Sequence, residues 1–387
     1  MKVKNNNVGT FLSLLRAGLF PKKEVQEFNV DSVWPNLQEF KDIEWGEVYR
    51  LAEEQSVVGL VAAGIEELRT KSCSAVDVPQ EWALQFIGQT LQIEQRNKAM
   101  NEFFFNLIKK LRNAGVYTLL VKGQGIAQCY ERPHWRASGD VDLFLSDENY
   151  RKAVALLSAL ASSIDEDRPE TKHLAMIIDG WEVELHGTLR SQLGKRIDAI
   201  IDGVQEDIFR LGNVRVWEEK GVAIYLPSPD NDIIIIFCHI LQHFFQGGIG
   251  LRQVCDLCRL LWTYRKTINV RLLESRLRKA GLLTEWRAFA ELSVVYLGMP
   301  VDAMPLYHST IVSRWRAKRI LKRIIKTGNF GHNNDRSHEG KSFWERKIAS
   351  LWRYTKDALS TFTFFPVNSL RGLRTLVMAG LKRTLGK

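Results

Sequence analysis

The stretch LLVKGQGIAQCYERPHWRASGDVDLFL, residues 119–145, limits the folds open to this chain more than any other. It reads as a strand, a glycine-containing loop, a turn, and a second strand carrying two aspartates one residue apart. Side chains alternate across a strand, so Asp140 and Asp142 project from one face, about 7 Å apart along the chain. Val141, Leu143 and Phe144 supply the apolar partners such a strand needs. Aspartate is depleted in strands, and two carboxylates on one rigid edge repel unless something positive lies between them. A divalent metal with hard oxygen ligands, Mg²⁺ above all, meets that need.

The flanking pattern is helical. Residues 1–78 read as short helices separated by polar turns, and residues 79–112 as one long amphipathic helix with Pro79 in its first turn. Phe86, Ile93, Met100, Phe104, Leu107, Ile108 and Leu111 recur there at three- to four-residue intervals, and Phe103-Phe104-Phe105 reads as core. Residues 116–121 are β-branched and aromatic enough for the first strand. After Leu145, Ser146 caps a helix running to about residue 161, with Asp147 and Glu148 in its first turn. Two strands follow at 174–178 and 181–185, joined by the hairpin turn Asp179-Gly180. Glu182 and Glu184 share one face of the second, with Trp181, Val183 and Leu185 on the other. From about Pro227 the pattern is helical to the end: a helix over 233–245 behind the cap Ser228-Pro229-Asp230, a break at 247–250, a helix over 251–264, and a pair filling 270–297.

Lys122-Gly123, Arg136, Gly139-Asp140-Val141-Asp142-Leu143 and the later Val183-Glu184-Leu185-His186 resemble the nucleotidyltransferase superfamily related to DNA polymerase beta. Within it, the chain is most similar to the bacterial family of uncharacterised nucleotidyltransferases, over residues 107–189. The resemblance implies an α+β fold: a small mixed sheet as nucleotidyltransferase core with extensive helical N- and C-terminal flanks. It divides the chain into a helical region at 1–98, the core at 99–226, a helical domain packing on it at 227–300, and a basic helical region at 301–387. It also implies an NTP substrate and two Mg²⁺ ions, held by Asp140, Asp142 and a third carboxylate from a neighbouring strand. Glu184 matches that third position, with Glu182 the fallback. The loop departs from the family's usual Gly-Ser or Gly-Gly, having Gly123-Gln124 and a longer gap to Asp140.

Around the carboxylates, Lys122, Gly123 and Gln124 follow the first strand, where an ammonium and backbone N–H groups can face phosphates. Arg136 has the donor geometry for a phosphate or acceptor clamp. Gly139 permits close backbone approach before Asp140, and His186, two residues beyond Glu184, falls on the same strand face. His173 starts the strand before it. A competing metal reading joins His239 and His243, four apart on a helix, with Cys255-x-x-Cys258 as a Cys₂His₂ zinc site. The alternative for that helix pair is packing on the sheet, with His239 or Asp256 facing the nucleotide.

Composition bounds the rest. The 387 residues exceed a usual single core. Lys+Arg 54 against Asp+Glu 44 gives +10, which favours polyanionic partners. The basic amphipathic segment 313–326 can serve as a solvated face or meet RNA or an anionic membrane surface. The polar stretch 328–341 reads as a mobile loop. Cys73, Cys129, Cys238, Cys255 and Cys258 are odd in number and unevenly spaced, as in a reducing compartment. The N-terminus lacks a signal-peptide pattern, and no apolar run approaches the roughly 20 residues of a membrane span. The expectation is a cytoplasmic, Mg²⁺-dependent enzyme that moves NMP from an NTP to a hydroxyl of an unidentified acceptor, releasing pyrophosphate. That acceptor is a small molecule, a sugar precursor, a protein or RNA. The alternatives are a nucleotidyltransferase fold that binds or regulates without turnover, and an RNA- or membrane-surface protein acting through its basic C-terminus.

Overall fold

The computed structural model describes residues 5–21, 43–71, 76–165, 172–191, 193–329, 355 and 359–385. Cys73, Trp344, Trp352 and most of the expected mobile loop lie outside the described residues. Seven strands form one mixed sheet: β1 (Leu119–Val121), β2 (Val141–Phe144), β3 (Ser163–Ile164), β4 (His173–Ile178), β5 (Trp181–His186), β6 (Val214–Glu219) and β7 (Val222–Pro227). Their order is β3-β4-β5-β2-β1-β7-β6. Strand β2 runs antiparallel to β1 and parallel to β5, and β1 runs parallel to β7.

Alternation along these strands sorts the sheet into two unlike faces. Leu120, Val141, Leu143, Leu174, Met176, Ile178, Val183 and Leu185 point into one apolar core. It is closed by α4 (Gln80–Asn113), through Met100, Phe104, Ile108 and Leu111, and by α6 (Asp147–Ser158), through Tyr150, Ala153 and Leu157. Their sequence neighbours Asp142, Phe144, Glu184 and His186 therefore belong to the opposite face. There Phe144 meets Phe209 of α7 (Lys195–Phe209), ring centroids 4.7 Å apart.

A second, larger core joins helices from both ends of the chain. It contains Leu14 and Leu15 of α1 (Asn5–Leu19), Leu51 of α2 (Trp45–Glu54) and Val61 of α3 (Val58–Lys71). Beside them lie Ile236 and Phe244 of α8 (Pro229–Gln246), Leu257 of α9 (Leu251–Tyr264) and Leu277 of α10 (Val270–Ala280). Phe289 of α11 (Leu283–Leu297) and Ile320 of α12 (Ile311–Thr327) complete it. Where α1 crosses α3, glycines let the backbones touch: a Cβ at Gly18 would stand 1.9 Å from the Leu60 carbonyl oxygen, and one at Gly64 1.9 Å from that of Leu14. Helix α4 belongs to both cores, with Phe86 in the larger and Met100 onward in the sheet core.

The α+β architecture with helical flanks agrees with the sequence expectation, with three corrections of detail. Pro79 is the N-cap of α4 rather than a residue of its first turn. The expected loop after β1 is a short helix, α5 (Gly123–Ala127), launched by Lys122 at φ 57°. Helix α7 and the β6–β7 hairpin were not expected; the hairpin's turn, Lys220-Gly221, has both φ positive, as its twist requires. Among the described residues no helix is long and apolar enough to cross a membrane.

Candidate functional site

The site is assembled by the register of three strands. In the parallel β2–β5 pair Asp142 lies opposite Glu184 and Phe144 opposite His186. In the antiparallel β4–β5 pair Glu184 lies opposite the small Ala175, and His186 opposite His173. Asp140, at the entrance to β2, completes an acidic triad: one carboxylate oxygen each from Asp140, Asp142 and Glu184 lies within 4.8 Å of the others. Hard oxygen donors at that spacing fit a divalent cation such as Mg²⁺.

Basic side chains lie directly against the triad. Lys122 Nζ lies 2.7 Å from Asp142 Oδ1, and His186 Nε2 lies 2.8 Å from the same oxygen. His186 Nε2 is also 3.3 Å from Glu184 Oε2, which His173 Nε2 approaches to 3.1 Å. The positive φ of Lys122 turns the chain out of β1 and swings this side chain across to the carboxylates.

Electrostatics sets Asp140 and Glu184 apart. Repulsion from Asp142, then burial and Glu184, pushes the Asp140 carboxyl up to about 6 against the pull of Lys122 and Arg252. Burial would raise Glu184 as well, but the hydrogen bonds from His173 and His186 and the nearby charges hold it well below the usual carboxylate range. Burial opposes charge on Lys122 and His186, yet the adjacent carboxylates win and both are raised. Asp140 thus bears the uncompensated repulsion of the site.

That repulsion has a stability consequence with a definite sign. The folded-state pKa of Asp140 lies above the ordinary aspartate value, so its ionisation opposes folding; the penalty is full above about 6 and vanishes as pH falls below about 4. Asp140→Asn is therefore expected to stabilise the metal-free protein near neutral pH by about 1–3 kcal/mol, a gain that closes on acidification. Thermal unfolding in chelator at neutral and acid pH checks this, and identical midpoints at both would contradict it.

A family model for uncharacterised nucleotidyltransferases matches residues 41–298, two thirds of the chain. The chain belongs to this family. No curated protein and no solved structure matches it. The matched span contains the whole sheet, the acidic triad and helices α8 to α11.

For this nucleotidyltransferase-family chain, several residues singled out by sequence stand elsewhere than expected. Arg136 is no phosphate clamp in this arrangement. It is buried, with Nε and one terminal nitrogen on the two oxygens of Asp256, both at 2.7 Å, and the other terminal nitrogen on Ser138 Oγ and the Ala137 carbonyl. Asp256 also accepts a hydrogen bond from Tyr130 Oη at 2.8 Å, so it does not face a nucleotide. The Gln124 side chain is buried beside Met100, with Nε2 directed at the sulfur, which leaves only its backbone for a ligand. At Gly139 a Cβ would meet nothing within 4 Å, so packing does not require glycine there; Gly123, at φ 38°, does favour it. Glu182, more exposed than Glu184, pairs with Ile177 and is outside the triad. The zinc arrangement is not formed. Cys255 and Cys258 are buried within α9, burial pushes both thiols up, Cys258 to about 12, and neither groups with His239 or His243 among the described residues.

Two further groups border the triad, the first on the helix that the sequence reads as either carrying zinc ligands or neighbouring the sheet. His239 and His243 on α8, ring centroids 4.4 Å apart, sense the charges of Lys122 and Glu184. Burial, then Lys122, lowers both, His243 to about 4, so they are neutral at physiological pH. Arg252, in the first turn of α9, lies close enough to Asp140 for each to affect the other's ionisation, and its Nε is buried with no hydrogen-bond acceptor. The i,i+4 spacing of the histidines is a visible signal, open to zinc or to packing on the sheet; nothing local marks Arg252.

Proposed function

We infer that this protein transfers a nucleoside monophosphate from an NTP to an acceptor hydroxyl, with Mg²⁺ as cofactor and release of pyrophosphate. The observation that carries this reading is the convergence of Asp140, Asp142 and Glu184 within 4.8 Å on one face of a mixed sheet, in a chain whose family is nucleotidyltransferase. Asp140, Asp142 and Glu184 would hold the metal, and bound Mg²⁺ would supply the charge neutralisation that phosphoryl transition states need. In the transfer, the acceptor oxygen bonds to the α-phosphorus and the bond from that phosphorus to its bridging oxygen breaks. Pyrophosphate carries away the electron pair. The hydroxyl proton goes to a carboxylate beside the acceptor oxygen. His173 and His186 hold Glu184 ionised and oriented. Lys122 exchanges its contact with Asp142 for the incoming phosphates, and Arg252 supplies the guanidinium that Arg136 does not offer. His239 and His243, neutral, line the approach of the acceptor: a small molecule, a sugar precursor, a protein or an RNA end.

A second reading, a nucleotidyltransferase fold that binds without turnover, draws on Gln124 being turned onto Met100 and Arg136 being tied to Asp256. Calorimetry with each of four NTPs, with and without Mg²⁺, on wild type and on Asp140→Ala/Asp142→Ala separates the cases. The transfer reading expects Mg²⁺-dependent binding that the double variant loses, followed by pyrophosphate release when acceptor is present. Binding with no release under any acceptor would favour the second reading. No binding by folded wild-type protein would overturn both.

A further inference from the structure

Among the described residues four histidines border the acidic triad, and two of them make an arrangement that can do more than orient Glu184. His173 and His186 are cross-strand partners on β4 and β5, their ring centroids 4.8 Å apart. His173 Nε2 lies 3.1 Å from Glu184 Oε2, and His186 Nε2 lies 3.3 Å from the same oxygen and 2.8 Å from Asp142 Oδ1. One ligating atom from each of His173, Glu184 and His186 lies within 4.8 Å of the other two.

We propose that His173, Glu184 and His186 form a binding site for a borderline transition-metal dication, with Zn²⁺ as the type, separate in its donor set from the all-oxygen triad. Two imidazole nitrogens and one carboxylate, with a further position open, is the donor set of zinc sites that keep a place for an exogenous ligand. Two atoms bound about 2.0–2.1 Å from a tetrahedral metal stand about 3.3–3.4 Å apart, and the two nitrogen-to-oxygen separations here fall close to that. Mg²⁺ prefers oxygen and retains its waters, whereas imidazole suits Zn²⁺ and its neighbours, so the two donor sets select different ions. Entry is available on one side: the His173 side chain is 29 % exposed and that of Glu184 20 %, while His186 is buried beneath them at 8 %. A shared Glu184 means an ion on the histidines acts directly on the carboxylate the other triad uses. Cross-strand pairing sets the two histidines side by side before any ion arrives. This inference stands on the histidine geometry and does not depend on nucleotidyl transfer.

The test uses the full chain, stripped with chelator, titrated with Zn²⁺ by calorimetry and with Co²⁺ by visible absorption. The expected result is a Zn²⁺ site in wild type that persists in Asp140→Asn and is weakened at least tenfold in both His173→Ala and His173→Gln, with loss of the Co²⁺ ligand-field bands. The glutamine variant keeps a side-chain donor toward Glu184, so it separates metal ligation from mere support of that carboxylate; circular dichroism confirms that each variant folds. Wild-type Zn²⁺ affinity in His173→Gln would overturn the proposal, as would equal loss in Asp140→Asn, which would assign the ion to the aspartates. Loss in His243→Ala with His173→Ala unaffected would place the ion on α8 and overturn it too.

Discussion

Asp142→Asn is expected to reduce nucleotidyl transfer by on the order of 10³-fold or more, the scale at which a preorganised electrostatic partner is lost from a phosphoryl- or acyl-transfer site. Asp142 is the junction of the candidate site: it is 3 % exposed, its Oδ1 receives both Lys122 Nζ and His186 Nε2, and it lies opposite Glu184 in the β2–β5 register. Asparagine keeps the shape and removes the charge, so packing survives while two cations lose their counter-ion and the triad loses a ligand. Pyrophosphate release, under conditions where wild type turns over, is the readout, alongside Mg²⁺-dependent NTP affinity. Activity within tenfold of wild type would mean that chemistry happens elsewhere. Glu184→Gln is expected to follow the same direction.

The second large effect is structural. Asp256→Ala should destabilise the fold by about 3–5 kcal/mol, because it leaves the Arg136 guanidinium buried without its carboxylate. Tyr130 Oη loses its acceptor in the same stroke. The pair is bidentate, both partners are under a tenth exposed, and Asp256 holds Arg136 firmly charged despite burial. Replacing both partners with apolar residues of similar volume, Arg136→Met/Asp256→Leu, should recover much of the loss, since no lone charge then remains inside. Denaturant unfolding of wild type, single variant and double variant tests the cycle. A single variant within about 1 kcal/mol of wild type would show that water reaches the guanidinium.

How far the site could be read from sequence depends on how far apart its partners lie in the chain. Asp140 and Asp142 are legible because their spacing alone puts them on one strand face, and Glu184 because β5 alternates cleanly against Val183 and Leu185. Arg136 was misread for the complementary reason: an arginine beside two aspartates suggests a ligand, but its partner Asp256 lies 120 residues downstream on α9. Gln124 reads as loop in the sequence and belongs to a helix in the fold, which turns its side chain onto Met100 of α4. Of the two readings open to the i,i+4 pair His239 and His243, zinc fails because the thiols meant to join them face the helical core, while packing toward the sheet brings both within reach of Lys122 and Glu184. The long helix was legible from its period, whereas β6 and β7 were overlooked: their alternation is blurred by the half-exposed residues of an outer hairpin.

Helix α4 has a consequence beyond packing. Its 34 residues extend about 50 Å, with one end anchored in the core that unites the chain's two ends and the other beneath the sheet. A rod shared by two cores cannot loosen in one without shedding contacts in the other. Melting of the helical shell is therefore expected to take the acidic triad with it, and the shell acts as a splint for the strands that carry those carboxylates. Fragments cut near residue 98 would divide that splint at its midpoint, so the sheet is best expressed with the helices that precede it.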